Sequence, residues 1–421
     1  MTDVAVPSAR SRHGLDWLNF FVANVQTGFG PFIAVYLTAN AWTLHDIGNV
    51  LTIGTISAIA SQLPGGAAVD ALRNKRLAAS AAGVAIAVSA LMLALLPERL
   101  PVAIAEVLHG FASSMLGPAI AAISLGLVGR AKLGERLGRN SSFAALGSAV
   151  AAAILGACGT YVSERSVFYL TATLMLPAML ALSRIRLQPA PSGAAAPPRS
   201  GRRLRLNLKP ELAQLRHLFS DRRLLVFGAC VVLFHLSNGA MLPLAASEVT
   251  KSIGDWASMI VAACIVLPQF AVAMISPFVG RLADRRGRRL VLIVGFAALP
   301  ARAVLLALVA NPFALVFVQM LDGVSAAAFG VMLPLIAADL TVETDHFNLC
   351  LGALGVAVGI GAALSTSVAG TIAGDYSPAA AFAALGAAGL AATLLVLFAM
   401  PETRRIRPEP PADDAGGADL A

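Results

Sequence analysis

The residues of this chain best suited to moving a charge come in matched sets. Glu106-Val-Leu-His109-Gly110 recurs as Gln319-Met-Leu-Asp322-Gly323, about 213 positions later. In each set the two polar residues stand i, i+3 apart, so on a helix they share one face. A carboxyl beside an imidazole can take up or release a proton near neutral pH as its surroundings turn from wet to dry. That is proton-carrying chemistry. Asn24 and Gln26 are echoed in the same way by His235, Ser237 and Asn238. No Ser/His/Asp set, phosphate-binding glycine loop or metal-spaced His/Cys cluster is present, so neither catalysis nor any cofactor is expected. Cys158, Cys230, Cys264 and Cys350 have no metal spacing and read as apolar filling.

The elements that must position these groups are long and apolar. The chain is 57% hydrophobic and 13% charged, far from a soluble average. Leu77 to Leu96 carries no charge. Such a stretch of about 20 residues crosses ~30 Å of hydrocarbon as a helix. Twelve stretches of this kind give spans at 16–38, 47–69, 76–96, 101–129, 139–161, 166–186, 223–247, 256–279, 289–309, 313–339, 347–373 and 378–400. The expected fold is an all-α membrane protein of twelve transmembrane helices in two pseudo-symmetric six-helix bundles, 16–186 and 223–400. Residues 1–15 and 401–421 are expected as cytoplasmic tails, the second disordered. Residues 187–222 read as a proline-rich linker, then an amphipathic surface helix from Leu204 to Phe219. The first apolar run, from Trp17, is long enough to span and reads as helix 1, not as a cleaved leader.

The net charge of +8 does not point to nucleic acid, because of where the basic residues lie. All but Arg99, Arg165, Lys251 and Arg302 fall in the tails and the even-numbered loops. This is the positive-inside pattern with both termini cytoplasmic. The expected partners are a small-molecule substrate, protons and anionic membrane lipids, with no nucleic acid and a monomeric chain. The 27 arginines against 4 lysines go with a GC-rich bacterial genome, hence a bacterial inner membrane.

The halves also repeat a loop. Leu63-Pro-Gly-Gly66-Ala-Ala-Val-Asp70 precedes span 3, and Gly280-Arg-Leu-Ala-Asp284-Arg285-Arg-Gly287-Arg288-Arg289 precedes span 9. The second loop resembles the cytoplasmic signature of the major facilitator superfamily, Gly-x-Leu-Ala-Asp-Arg-x-Gly-Arg-Arg. The resemblance covers about residues 15 to 400. It implies a secondary transporter whose two bundles rock about a central site, with this loop latching one access state. Asp284 is suited to accept N–H groups at a nearby helix N-terminus, and Arg285, Arg288 and Arg289 to pair with it or with lipid phosphates. The first-half copy keeps Gly66 and Asp70, with Arg73 and Arg76 nearby, but loses the Gly-Arg-Arg end, so Asp70→Asn is expected to be milder than Asp284→Asn. Span 5 lacks the Gly-Pro-x-x-Gly-Gly signature of proton-coupled exporters. Pro401-Glu-Thr-Arg resembles the end of span 12 in sugar porters. Val25-Gln26-Thr-Gly-Phe-Gly-Pro and Gln319-Met-Leu-Asp322-Gly resemble a bacterial subgroup, some of whose members are associated with siderophore export.

In that superfamily spans 1, 4, 7 and 10 line the central cavity. The embedded polar residues Asn24, Gln26, Glu106, His109, His235, Asn238, Gln319 and Asp322 all fall on those four spans, and form the candidate substrate and proton cavity. Arg302 stands apart, on span 9. Depth places it roughly 20 Å above the inner end of its span and puts Asp322 roughly 14 Å below the outer end of span 10, so their heights agree within a few Å. An Arg302–Asp322 ion pair fits; otherwise Arg302 snorkels outward. The function expected is proton-coupled export of an amphipathic small molecule, drug-like or siderophore. The alternatives are uptake or facilitated diffusion of a small metabolite, and a transporter-like receptor that moves nothing. Asp16, Asp46, Asp255, Glu248, Asp339 and Asp345 read as caps or interface charges.

Reporter fusions after residues 130, 200, 285 and 405 are expected to report cytoplasm, and fusions near 42, 99, 164, 252 and 376 the outside. Cytoplasmic signals from several of the second group would refute the twelve-span topology.

Overall fold

The computed structural model describes residues 8–29, 31–72, 74–186, 221–253, 257–309, 311–342, 344 and 346–404. The linker 187–220 with its expected surface helix, tail residues 405–421, Arg73, Asp255 and Asp345 lie outside the described residues.

Among those residues every regular element is a helix, and their order gives the twelve spans. Span 1 runs Ala9–Gly28 and resumes at Pro31–Ala39; span 2 is Leu44–Ala71, span 3 Lys75–Leu95 and span 4 Arg99–Val128. Span 5 is Leu133–Tyr161 and span 6 Glu164–Ser183. Span 7 is Arg222–Asn238 followed by Met241–Ile253; span 8 is Ala257–Arg286 and span 9 Arg288–Leu308. Span 10 is Pro312–Val318 followed by Met320–Leu340, span 11 Phe347–Asp375 and span 12 Pro378–Ala399. Eleven of these are long and apolar enough to cross a membrane. Span 2 is as long, but Thr52, Thr55, Ser57, Ser61 and Gln62 make it less apolar.

Helix starts follow capping chemistry. The side chains of Ser8, Thr43, Asn74, Ser163, Asp221, Asn311 and Ser377 each accept a backbone N–H from the first turn of spans 1, 2, 3, 6, 7, 10 and 12. Two expectations change here. Residues 9–15, expected as tail, are the first turns of span 1, because Ser8 caps the helix there. Thr43, not Asp46, caps span 2; Asp46 lies in its first turn and pairs with Arg99 at 2.7 Å.

The two halves pack alike. In the first, span 2 packs on 4, 3 on 4, 1 on 5, 1 on 6 and 3 on 6. The second repeats the same five pairings as 8 on 10, 9 on 10, 7 on 11, 7 on 12 and 9 on 12. One buried core, centred on Leu18, Ile86, Leu116 and Phe168, lies in the first half; another, centred on Phe227, Phe296, Met332 and Leu335, lies mainly in the second and takes in Ala121, Leu133 and Leu137 of the first. The halves meet mainly where span 5 packs on span 8 and span 2 on span 11. Glycines permit this close approach. A Cβ on Gly66 would strike the Asn348 carbonyl, and one on Gly280 the Gly134 carbonyl. Deeper in, Gly352 sits on the Gln62 carbonyl and Gly138 on the Ser276 carbonyl. These contacts pair off under the same two-fold relation as the spans.

Candidate functional site

The predicted residues come together in two places: at the end of the bundle that carries the loop signatures, called the latch below, and at mid-depth. At the latch each half supplies a carboxylate to the other. Asp284, ending span 8, accepts the Glu135 N–H at 2.8 Å, at the start of span 5. Asp70, ending span 2, accepts the Asn348 N–H at 3.1 Å, the Leu349 N–H at 2.8 Å and the Asn348 side-chain amide at 2.6 Å, at the start of span 11. Both carboxylates meet the positive end of a helix dipole and N–H groups that the helix itself cannot satisfy. Arg130 adds a bond to the Ala338 carbonyl. Higher up, Ser142 donates to the Ala273 carbonyl. Among the described residues, all hydrogen bonds that join the halves lie toward this end of the bundle. The loss of the Gly-Arg-Arg end from the first-half loop therefore does not weaken its bonding: Asp70 is held by more donors than Asp284.

The arginines of the signature act inside the second half. Arg288 donates to Asp339 at 2.8 Å and to the Ala283 carbonyl at 2.9 Å, and stands 3.7 Å from Asp284. Arg289 donates to the Leu397 carbonyl, and the Arg285 carbonyl accepts from Arg404. Gly287 has φ +102°, a backbone glycine adopts freely, and its Cα faces the Glu402 carboxylate. Glu402 accepts the backbone N–H groups of Arg288 at 2.9 Å and Arg289 at 3.1 Å, so it caps span 9. Burial pushes its pKa up, but those N–H groups, that of Arg404 and the Arg288 charge outweigh this and hold it below the usual glutamate range. The cap is thus fully present above the ordinary glutamate pKa and is lost only as pH falls through the lowered value. Residues 401–404, expected to be disordered, are ordered for this reason.

At mid-depth in the first half, Gln26 and His109 meet. The His109 Nε2 and Gln26 Oε1 are 2.9 Å apart, Gln26 donates to Ser113 at 3.0 Å, and the His109 ring stacks on Phe29 at 3.8 Å. Glu106 does not join them. It turns toward span 2, where its Oε2 occupies the space that a Cβ on Gly54 would need. It is 5% exposed and accepts no hydrogen bond among the described residues. The expected Glu106–His109 partnership is therefore absent: 60° of helix rotation sends one side chain to span 2 and the other to span 1. Asn24 is buried and bonded to the Phe20 carbonyl of its own helix at 3.1 Å.

The second half holds a charged cluster at the same depth. Arg302, 1% exposed, donates to Asp322 at 2.6 Å and to Asn238. This joins spans 7, 9 and 10. The Asp322 side chain stays 25% exposed. His235 bonds the Val231 carbonyl at 3.1 Å and packs edge-on to Phe329, which stacks on Phe234. Gln319, the repeat equivalent of Glu106, is fully buried, and neither its amide oxygen nor nitrogen has a partner among the described residues.

Several contacts were not foreseen from the sequence. Asp16, expected as an interface charge, is 1% exposed and held by Arg136 and Arg139, which fastens span 1 to span 5. Asp339, likewise, anchors Arg288 and accepts from Thr403 at 3.1 Å. Asn348, Gly54 and Glu402 carry no signal of their own. Each matters through a residue far away in the chain.

This geometry defines a class: a two-bundle membrane protein of secondary-transporter architecture. The comparisons name the family. The Major Facilitator Superfamily model matches residues 15–250 and 229–421. Two Mycobacterium tuberculosis proteins, the MFS-type transporters MT2531 of strain CDC 1551 / Oshkosh and Rv2456c of strain ATCC 25618 / H37Rv, are each 39% identical over 403 residues, covering 96% of both chains. The E. coli fucose:proton symporter FucP superposes with TM-score 0.72 at 12% identity, over 92% of this chain and 98% of that one. The nucleoside transporter NupG gives 0.63 at 14%, over the same shares. The chain belongs to the Major Facilitator Superfamily. It is a multi-pass secondary transporter and not an enzyme.

Asp70→Asn and Asp284→Asn are expected to impair uphill flux to a similar degree, about 10-fold or more, with normal membrane insertion. The basis is that a hydrogen bond to a charged group contributes ~1.5–3 kcal/mol. Normal flux in either variant would show that its carboxylate is not needed for switching.

Proposed function

We propose that the protein is a proton-coupled transporter that exports an amphipathic organic compound, drug-like or siderophore, from the cytoplasm of a bacterium. The observation that carries the coupling is the contrast between Glu106 and Asp322. Asp322 is tied to Arg302 at 2.6 Å and so keeps a counter-charge. Glu106 is buried without a bonding partner among the described residues. An unpaired charge at membrane depth costs several kcal/mol, and a proton removes that charge. Opening and closing the cavity around such a carboxyl then takes up and releases a proton. The Gln26–His109 pair beside it serves as the substrate-facing group, and Asp322 holds span 10 in register with spans 7 and 9.

The substrate class rests on two ring pairs at mid-depth. Phe29 against His109 and Phe329 against His235 pair an apolar ring with a polar one in each half, which suits a molecule with both an apolar body and a few polar groups. Uptake is the second reading. It is favoured by the name of FucP, a fucose:proton symporter. The latched end lies inside in the proposed orientation, with both termini cytoplasmic, because the basic residues concentrate in its loops.

Proteoliposomes with an imposed pH gradient test this, with ethidium and a hydroxamate siderophore as probes. In inside-out vesicles with an acid lumen, uphill accumulation of a probe is expected, lost in Glu106→Gln while probe exchange persists, since exchange needs no net proton movement. Asp322→Asn is expected mainly to lower protein yield, by leaving Arg302 unpaired. Accumulation only in right-side-out vesicles with an acid exterior would favour uptake. Proton-driven accumulation that survives Glu106→Gln, His109→Ala and Asp322→Asn, each alone, would remove the coupling assignment.

A further inference from the structure

Spans 1 and 6 part at the latched end to leave a cleft of about 460 Å³ on the flank of the first bundle. Its lining is graded. Arg10 and His13 on the first turns of span 1, with Arg184 just past the end of span 6, ring the outer mouth. Trp17 and Phe21 continue the His13 stripe at i+4 and i+8, and Leu180 faces them from span 6. From His13 to Phe21 the stripe descends about 12 Å at ~1.5 Å per residue. Trp17 is 47% and Leu180 64% exposed, so the apolar part opens sideways. The cleft has a firm floor where Gly14 lets span 1 rest on the Ala181 carbonyl.

No described residue neutralises the charge in this mouth. Among the described residues the side chains of Arg10, His13 and Arg184 make no hydrogen bond or ion pair. The nearest acid in sequence, Asp16, points away into Arg136 and Arg139. A ligand that fits must therefore carry an anion at the membrane surface and an apolar chain below it. We propose that this cleft is a binding site for one anionic phospholipid, with its phosphate among Arg10, His13 and Arg184 and an acyl chain along Trp17, Phe21 and Leu180. Basic pockets between helices select anionic headgroups in this way. The aromatic pair provides the flat apolar wall that a chain packs against. The lipid would brace span 1 against span 6, beside the Asp16 contact that fastens span 1 to span 5.

Trp17 makes the site readable. The chain has 3 tryptophans, so Trp42→Phe with Trp256→Phe leaves Trp17 alone. The full-length protein in bilayers is then titrated with phosphatidylglycerol or phosphatidylcholine carrying the same brominated chain, which quenches tryptophan on contact. Brominated phosphatidylglycerol is expected to quench at lower mole fraction, by about 5-fold for each basic group engaged. Arg10→Gln with Arg184→Gln should bring the two lipids together, while Arg10→Lys with Arg184→Lys should keep them apart. Equal quenching by both lipids before any arginine is changed would overturn the proposal. So would a preference that persists in the double glutamine variant. Displacement of the brominated lipid by millimolar glycerol phosphate, which has the headgroup charge and no chain, would overturn the lipid as the occupant.

Discussion

Most of the hydrogen bonds that join the halves among the described residues end on two carboxylates. Asp70 and Asp284 each leave their own bundle to cap a helix of the other. A helix N-terminus concentrates unsatisfied N–H groups and about half a unit of positive charge, so each carboxylate satisfies what the opposite helix cannot satisfy alone. Beneath them Gly66, Gly138, Gly280 and Gly352 let the backbones of the two halves touch. Such a joint suits a switch. Its bonds are polar and few, and water can replace them when the halves part.

The same two-fold relation that makes the latch symmetric is broken at mid-depth. Glu106 and Gln319 are repeat equivalents, as are His109 and Asp322, yet only the second half brings in an arginine. The residue equivalent to Arg302 in the first half is Ser89, buried and bonded to its own helix at 3.0 Å. Among the described residues one half thus holds a compensated charge and the other an uncompensated acid. In the proposed mechanism that division separates a fixed structural pair from a group that changes charge. It also places the proton site in a different half from the arginine, so protonation does not have to compete with an ion pair.

Much of this was legible in the sequence. Apolar length gave the spans, because the bilayer imposes it. The repeat of Glu106-x-x-His109 and Gln319-x-x-Asp322 located the mid-depth groups, and matched depths set Arg302 beside Asp322. What stayed hidden depends on contacts between distant positions. The loop around Asp70 looks degenerate, but bonding there needs only a carboxylate and a helix start 278 residues away. Glu402 looked like part of a loose tail, because its partners are backbone groups of span 9 and leave no side-chain pattern. Helical spacing put Glu106 and His109 on one face, but 60° of rotation was enough to give them different neighbours. Asp16 gave no sign of its two arginines, since ends of spans carry charges for many reasons.

In the proposed mechanism the two crossing carboxylates together hold one end of the bundle shut. Spin labels in a background without Cys158, Cys230, Cys264 and Cys350 measure it directly. One pair, at Lys132 and Arg286, spans the latched end, and another, at His45 and Tyr376, spans the opposite end. With Asp70→Asn and Asp284→Asn combined, the first distance is expected to gain a longer component while the second gains a shorter one, as the bundles rock. Unchanged distributions at both ends, or lengthening at both, would contradict the account.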